Sequence, residues 1–360
     1  MLLNIGLIIG GFVVLVFGAD WLVRGASRLA LSLGMTPLVV GLTVVAFGTS
    51  APELAVSVAS AWSGQADLAV GNVIGSNIAN ILLILGFSAV VAPLVVHQQL
   101  VRLDVPIMLG ASVLFYSLAL DGRISMADGA LLAGSIVLYV TFLIRQSRRE
   151  KNKAVLAEYE GAMESGGSMP MDIVWMVAGL VGLVAGAQML VEGAVSLARA
   201  FGVSELMIGL TVLAIGTSLP ELATSVVAAL RGERDIAVGN VVGSNIFNLL
   251  SVLGFTGLVS LGQLPVAPAA LTLDIPVMLG VALLCMPIFR AGFTVTRANG
   301  AFFLFCYAAY IGWLVVSNSG TPPPWMSVSL LNGLIPVAIL FTMVSFVRYV
   351  SAEKASTPDH

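Results

Sequence analysis

The sequence predicts an all-α integral membrane protein built from two inverted five-helix repeats plus one extra C-terminal transmembrane helix. Three observations carry that prediction. Of the 360 residues, 58% are hydrophobic and only 10% are charged, whereas an ordinary soluble domain carries about 25% charge. The charges gather in short stretches between apolar runs, and eleven of those runs approach or exceed the roughly 20 residues a helix needs to cross a bilayer. The chain also repeats itself at a nearly constant spacing.

The eleven runs fall near residues 4–30, 37–62, 67–92, 101–120, 125–144, 172–200, 205–230, 235–260, 272–290, 295–316 and 326–349. Those near 37–62 and 205–230 are each broken in mid-course by glycine and proline. No Lys or Arg precedes the first apolar stretch, Ile5 to Phe17, so the basic region of a secretory signal peptide is missing and the run reads as a retained span. Basic residues set the orientation. With the N-terminus outside, the inner segments hold Arg24, Arg28, Arg102, Arg145, Arg148, Arg149, Lys151, Lys153, Arg231, Arg234, Arg290, Arg297, Arg348 and Lys354, and the outer ones only Arg123 and Arg199. That bias of 14 to 2 predicts eleven spans, N-terminus out and C-terminus in.

The repeat is explicit. Gly48-Thr49-Ser50-Ala51-Pro52-Glu53-Leu54-Ala55 returns as Gly216-Thr217-Ser218-Leu219-Pro220-Glu221-Leu222-Ala223. The run from Ala69 to Asn80, with Gly71-Asn72 and Gly75-Ser76-Asn77, returns from Ala237 to Asn248. Over residues 41–60, 14 of 20 positions match those 168 further on, and the offset drifts to 170 at Leu103-Asp104-Val105-Pro106. The expected organisation is a first repeat over 1–144, a cytoplasmic linker over 145–171, a second repeat over 172–317, and an extra helix with a short tail over 318–360. Five spans per repeat is an odd number, so the second half enters from the opposite face. Such inverted repeats typify secondary transporters, with sites at the repeat interface near mid-membrane.

Glu53 and Glu221 are the decisive residues. An ionisable group at mid-span costs about 2.5–3.5 kcal/mol on insertion scales and normally serves a polar interior. No basic residue lies at comparable depth, so this pair must take up a cation or a proton. Pro52 and Pro220 withhold the hydrogen bonds that the carbonyls of Gly48 and Gly216 would receive in a regular helix. Carbonyls, the hydroxyls of Thr49, Ser50, Thr217 and Ser218, and one carboxylate per half then lie within about one turn. These are hard oxygen ligands, suited to calcium. Ser76 and Asn80, with Asn72, share one helical face by their spacing of four, as do Ser244 and Asn248 with Asn240. For Asn72 and Asn240, helix-to-helix hydrogen bonding is as good an explanation as ligation. Gly71, Gly75, Gly239 and Gly243 are expected to allow close helix approach. Asp104 and Asp274, each shortly before a proline, read as helix caps, and the methionines as packing or lipid-facing residues.

Several classes are excluded. Cys285 and Cys306 sit inside apolar runs and make no disulfide or zinc framework. His97 and His360 lie near a membrane boundary and at the last position. Ser50 and Ser218 have no His or Lys in their spans to activate them, which argues against a hydrolase, and nothing suggests a channel's filter loop. No cofactor and no nucleic-acid partner is expected. The partners are ions and the lipid bilayer.

The paired Gly-Thr-Ser-x-Pro-Glu and Gly-Ser-Asn-Ile-x-Asn segments resemble the two alpha-repeats of the calcium/cation antiporter superfamily, most of all the prokaryotic sodium/calcium exchangers. The likeness covers residues 1 to about 317. It implies ten core helices in two inverted groups and a membrane antiporter, not an enzyme, in a bacterial inner membrane. It implies a cation site formed by Thr49, Ser50, Glu53, Ser76 and Asn80 with Thr217, Ser218, Glu221, Ser244 and Asn248, joined by the carbonyls of Ala46 and Ala214. Some members carry Asp where this chain has Asn248, so this site holds two carboxylates. The expected activity is calcium/sodium exchange, with calcium/proton antiport or potassium-dependent exchange as alternatives within the superfamily.

Overall fold

The computed structural model describes residues 2–149, 169–202, 214–261 and 264–317. Most of the expected linker, the first part of the run 205–230 and the expected eleventh span lie outside the described residues. The helices are α1 (Leu2–Ser32), α2 (Pro37–Thr49), α3 (Ala51–Trp62), α4 (Leu68–Val91), α5 (Leu100–Ala119), α6 (Met126–Arg149), α7 (Met169–Ala200), α8 (Leu219–Leu230), α9 (Arg234–Val259), α10 (Ala270–Arg290) and α11 (Arg297–Ser317). Eight of them are long and apolar enough to cross a membrane, and α2 with α3 makes a ninth candidate span bent by 41°. The short helix Ala214–Gly216 and two short antiparallel ribbons complete the described elements. Strand β1 (Leu94–Val95) pairs with β4 (Thr294–Val295), and β2 (Arg123–Ile124) pairs with β3 (Leu264–Pro265).

Burial divides the helices into layers. α9 is buried along its whole apolar window and its repeat mate α4 along most of it, so these two form the middle of the molecule. Large apolar side chains on α1, α6 and α7, such as Phe12, Leu138 and Val181, are exposed, as expected where the solvent is hydrocarbon.

The two longest helices, α1 and α7, run antiparallel in backbone contact. A Cβ at Gly18 would lie 2.6 Å from the Leu183 nitrogen and 2.9 Å from the Gly179 oxygen. One at Gly11 would lie 2.8 Å from the Gly186 oxygen, and one at Gly25 2.7 Å from the Asp172 oxygen. Gly179, Gly186 and Gly193 meet α1 in the same way. Glycine at every seventh position of both helices (11, 18, 25 and 179, 186, 193) lets the backbones approach this closely.

Each ribbon joins a loop of one half to a loop of the other. Asp20, past the middle of α1, pairs with Arg24 at 3.0 Å and with Arg231 after α8.

Two expectations are corrected. Asp104 and Asp274 do not cap helices: both have helical backbone and make no capping hydrogen bond. Wide π-turns, Leu100–Asp104 and Ala270–Asp274, start these helices several residues earlier. The freed carboxylates instead accept from tyrosines, Asp104 from Tyr139 and Asp274 from Tyr310, each at 3.2 Å.

Candidate cation site

The bend between α2 and α3 builds the first half of the site. Ser50 ends α2 and begins α3 with φ −83° and ψ 3°, and Ser218 opens α8 with φ −91° and ψ 8°. This sparsely populated region of backbone space is common in active sites. Pro52 and Pro220 occupy the second helical position, where no intrahelical donor is needed, and Glu53 and Glu221 fall at the third. Each carboxylate therefore sits at a helix start, where the macrodipole favours negative charge.

The two halves then exchange partners. Ser50 Oγ donates to Glu221 Oε1 at 3.2 Å, and Ser218 Oγ approaches Glu53 Oε1 at 3.5 Å. Thr49 lies 3.5 Å from Ser244, and Ser218 lies 3.4 Å from Ser76. Glu53 is 0% exposed and Glu221 1%. Neither forms an ion pair among the described residues. Glu53 Oε2, Glu221 Oε2, Asn80 Oδ1, Asn77 Oδ1 and both polar side-chain atoms of Asn248 are buried without a hydrogen-bond partner. Buried polar atoms are normally satisfied, so the unpaired carboxylate and amide oxygens of this set are free to accept a further partner.

Direct contacts thus join Thr49 to Ser244, Ser50 to Glu221, and Ser218 to Glu53 and Ser76, while Asn80 contacts Asn245 instead. Asn80 and Asn248 begin the π-turns Asn80–Leu85 and Asn248–Val252, a distortion often found at functional sites. The Ala46 carbonyl accepts the Ser50 N–H at 3.0 Å and faces Thr49 Oγ1 at 3.4 Å, so one of its lone pairs is already engaged. Ala214 opens the short helix Ala214–Gly216 next to Thr217. Gly239 and Gly243 do press against Leu38 and Leu42 of α2, but Gly71 and Gly75 do not serve a close approach: no described atom lies within 4 Å of where their Cβ would stand. A cleft of about 1080 Å³ adjoins the site, and Asn72, Ser76, Glu192, Thr217, Pro220 and Asp274 are among the residues that line it.

Sequence reasoning missed Asn77, Asn245, Met108 and Met278. Asn80 Nδ2 donates to Asn245 Oδ1 at 3.0 Å, and Asn77 Nδ2 to the Asn245 carbonyl at 3.4 Å. The methionine sulfurs accept from these amides: Met278 from Asn77 at 3.6 Å and Met108 from Asn245 at 3.5 Å. Their signal was their recurrence, at offset 168 for the asparagines and 170 for the methionines.

The sodium/calcium exchanger protein family matches residues 3–145 and 171–316, covering both copies of the site. The chain belongs to the sodium/calcium exchanger family. It is therefore an integral membrane protein and a cation antiporter, of a family of transporters and not of enzymes. It is 44% identical over 292 residues to inner membrane protein YrbG of Escherichia coli (strain K12), covering 79% of this chain and 89% of that one. It is 34% identical over 342 residues to the sodium/calcium exchanger MaX1 of Methanosarcina acetivorans, covering 86% and 97%. The solved sodium-calcium exchanger NCX_Mj superposes with a TM-score of 0.75 at 30% identity, over 87% of this chain and 99% of that one.

Proposed function

We propose that this protein exchanges calcium for sodium by alternating access, at a single site shared by residues 1–144 and 172–317 as two inverted halves. The observation that carries the proposal is the crossed pair of buried carboxylates, each held by the other half's serine and neither paired with a cationic side chain among the described residues. Thr49, Ser50, Glu53, Ser76 and Asn80, and Thr217, Ser218, Glu221, Ser244 and Asn248, with the Ala46 and Ala214 carbonyls, are the proposed ligands. Their oxygens suit calcium and sodium alike, so the two ions compete for overlapping positions. Two carboxylates give the pocket a charge of about −2, which one calcium or several sodium ions offset. Empty, the pocket would be doubly negative in a dehydrated enclosure, which is costly. That cost suppresses return without a load and enforces exchange. The names of MaX1 and NCX_Mj support sodium as the counter-ion, and that of YrbG supports an inner-membrane location.

The proposed topology is eleven spans, N-terminus out. In that frame the cleft beside Asn72, Ser76 and Thr217 opens outward. The α1–α7 pair would slide against the rest to change access. Its contacts with the core near the site support this: a Cβ at Gly48 would meet Leu180 and one at Gly216 would meet Val191, so α7 packs there against side chains and not against backbone.

The test is calcium uptake into proteoliposomes under imposed gradients. An outward sodium gradient should drive uptake at potassium and proton equilibrium. Uptake that follows a pH gradient and ignores sodium would instead establish the proton antiporter, in which protons occupy Glu53 and Glu221.

A further inference from the structure

Asn72 and Asn240 make the same set of contacts in the two halves. Asn240 Nδ2 donates to Ser225 Oγ at 3.0 Å and to the Glu221 carbonyl at 3.4 Å, and its Oδ1 accepts from Thr49 Oγ1 at 3.0 Å. Asn72 Nδ2 donates to Ser57 Oγ at 3.1 Å and to the Glu53 carbonyl at 3.5 Å, and its Oδ1 accepts from Thr217 Oγ1 at 3.4 Å. Within each set, the nitrogen faces its own half and the oxygen faces the other.

Chemistry fixes the orientation of these amides. A backbone carbonyl only accepts, so turning Asn240 over would set Oδ1 against the Glu221 carbonyl oxygen and leave both unsatisfied. The Thr49 hydroxyl has one proton and two lone pairs. Asn240 Oδ1 at 3.0 Å and the Ala46 carbonyl at 3.4 Å can both only accept, and the shorter contact takes the proton. That leaves lone-pair density free for the interior of the site. Turned the other way, the hydroxyl would present its proton to an incoming cation.

We propose that Asn240 and Asn72 are positioning residues that hold the hydroxyl protons of Thr49 and Thr217 away from the bound ion, so that each half sets the polarity of the other half's ligand. The inference rests on the proposed role of the threonines as ligands. It adds a crossed dependence: Asn240 acts through Thr49, and Asn72 acts through Thr217.

The experiment is a set of double-mutant cycles read as the apparent KM for calcium, and separately for sodium, in reconstituted proteoliposomes. Asn240→Leu should raise the calcium KM about fivefold, the worth of one hydrogen bond, with a smaller fall in maximal rate. In a Thr49→Val background it should add little. In a Thr217→Val background the two factors should multiply. Asn72→Leu should show the reverse pairing. Asn240→Ala and Asn72→Ala carry the same expectations should the leucine variants not fold. Equal effects in both threonine backgrounds, or an unchanged KM, would overturn the proposal and leave the asparagines as helix-to-helix braces. Glu53→Gln and Glu221→Gln serve as the separate control. If they retain exchange, the site assignment itself is wrong. If they abolish it while the asparagine variants show no crossed coupling, only the positioning role fails.

Discussion

Glu53→Gln and Glu221→Gln should each reduce calcium transport by more than about a hundredfold. Each substitution keeps the size and most of the hydrogen bonding of the side chain and removes only the charge. Both carboxylates are buried, with one oxygen each left without a partner. A calcium ion entering the parent site meets two negative charges and is neutralised. In either variant it retains a net charge of +1 in a low-dielectric enclosure. Removing one partner from a buried ionic arrangement costs about 3–5 kcal/mol, which is at least a hundredfold in affinity. The two effects should be alike because the site is crossed: each glutamate touches the opposite half's serine, so neither half has a private site. Ser50→Ala and Ser218→Ala remove a neutral donor and should cost far less, about fivefold. Calcium flux in proteoliposomes, with binding measured alongside, checks the order. Full exchange in either glutamine variant would remove that carboxylate from the site.

Much of this arrangement was legible in the sequence, for identifiable reasons. Mid-span glutamates without basic partners are rare, and a proline one residue earlier marked where the backbone turns. The helix ends lay close to expectation, α6 departing furthest by running on to Arg149, because the boundary between apolar and charged segments is sharp. The crossing of Ser50 to Glu221 was not legible. Periodicity tells which residues share a helix face, but not which helix that face meets. Asn77 and Asn245 escaped because a spacing of four from Asn72 to Ser76 to Asn80 selects one face of a regular helix. Asn77 and Asn245 lie on the neighbouring face of the regular helix before the π-turns, and their hydrogen bonds cross to the other half, which periodicity does not show. Asp104 was misread for a different reason. An aspartate shortly before a proline normally starts a helix, but here the π-turn from Leu100 had already begun one.

The second large effect concerns the α1–α7 seam. Gly18→Ala and Gly179→Ala should each destabilise the protein, although alanine is the better helix former by about 1 kcal/mol. Propensity alone predicts a gain, so the sign of the change is diagnostic. At Gly18 and Gly179 the added methyl would lie 2.5–2.9 Å from backbone atoms of the facing helix. Backbone atoms cannot move aside as a side chain does, so the two helices must part. Overpacking of this kind costs about 1–3 kcal/mol, and it opens a gap along neighbouring turns that lipid cannot fill. Because one methyl already separates the axes, the double variant should be less destabilised than the two singles combined. Gly48→Ala provides the contrast: its nearest neighbours are the terminal methyls of Leu180, which can rotate. It should leave stability nearly intact and act on transport, since it thickens the surface along which α7 would slide beside Thr49 and Ser50. Melting in detergent together with flux in vesicles separates the two classes. A raised melting temperature in Gly18→Ala would mean that the helices are not in backbone contact. The long pair would then not be a rigid unit able to move past the cation site as one body.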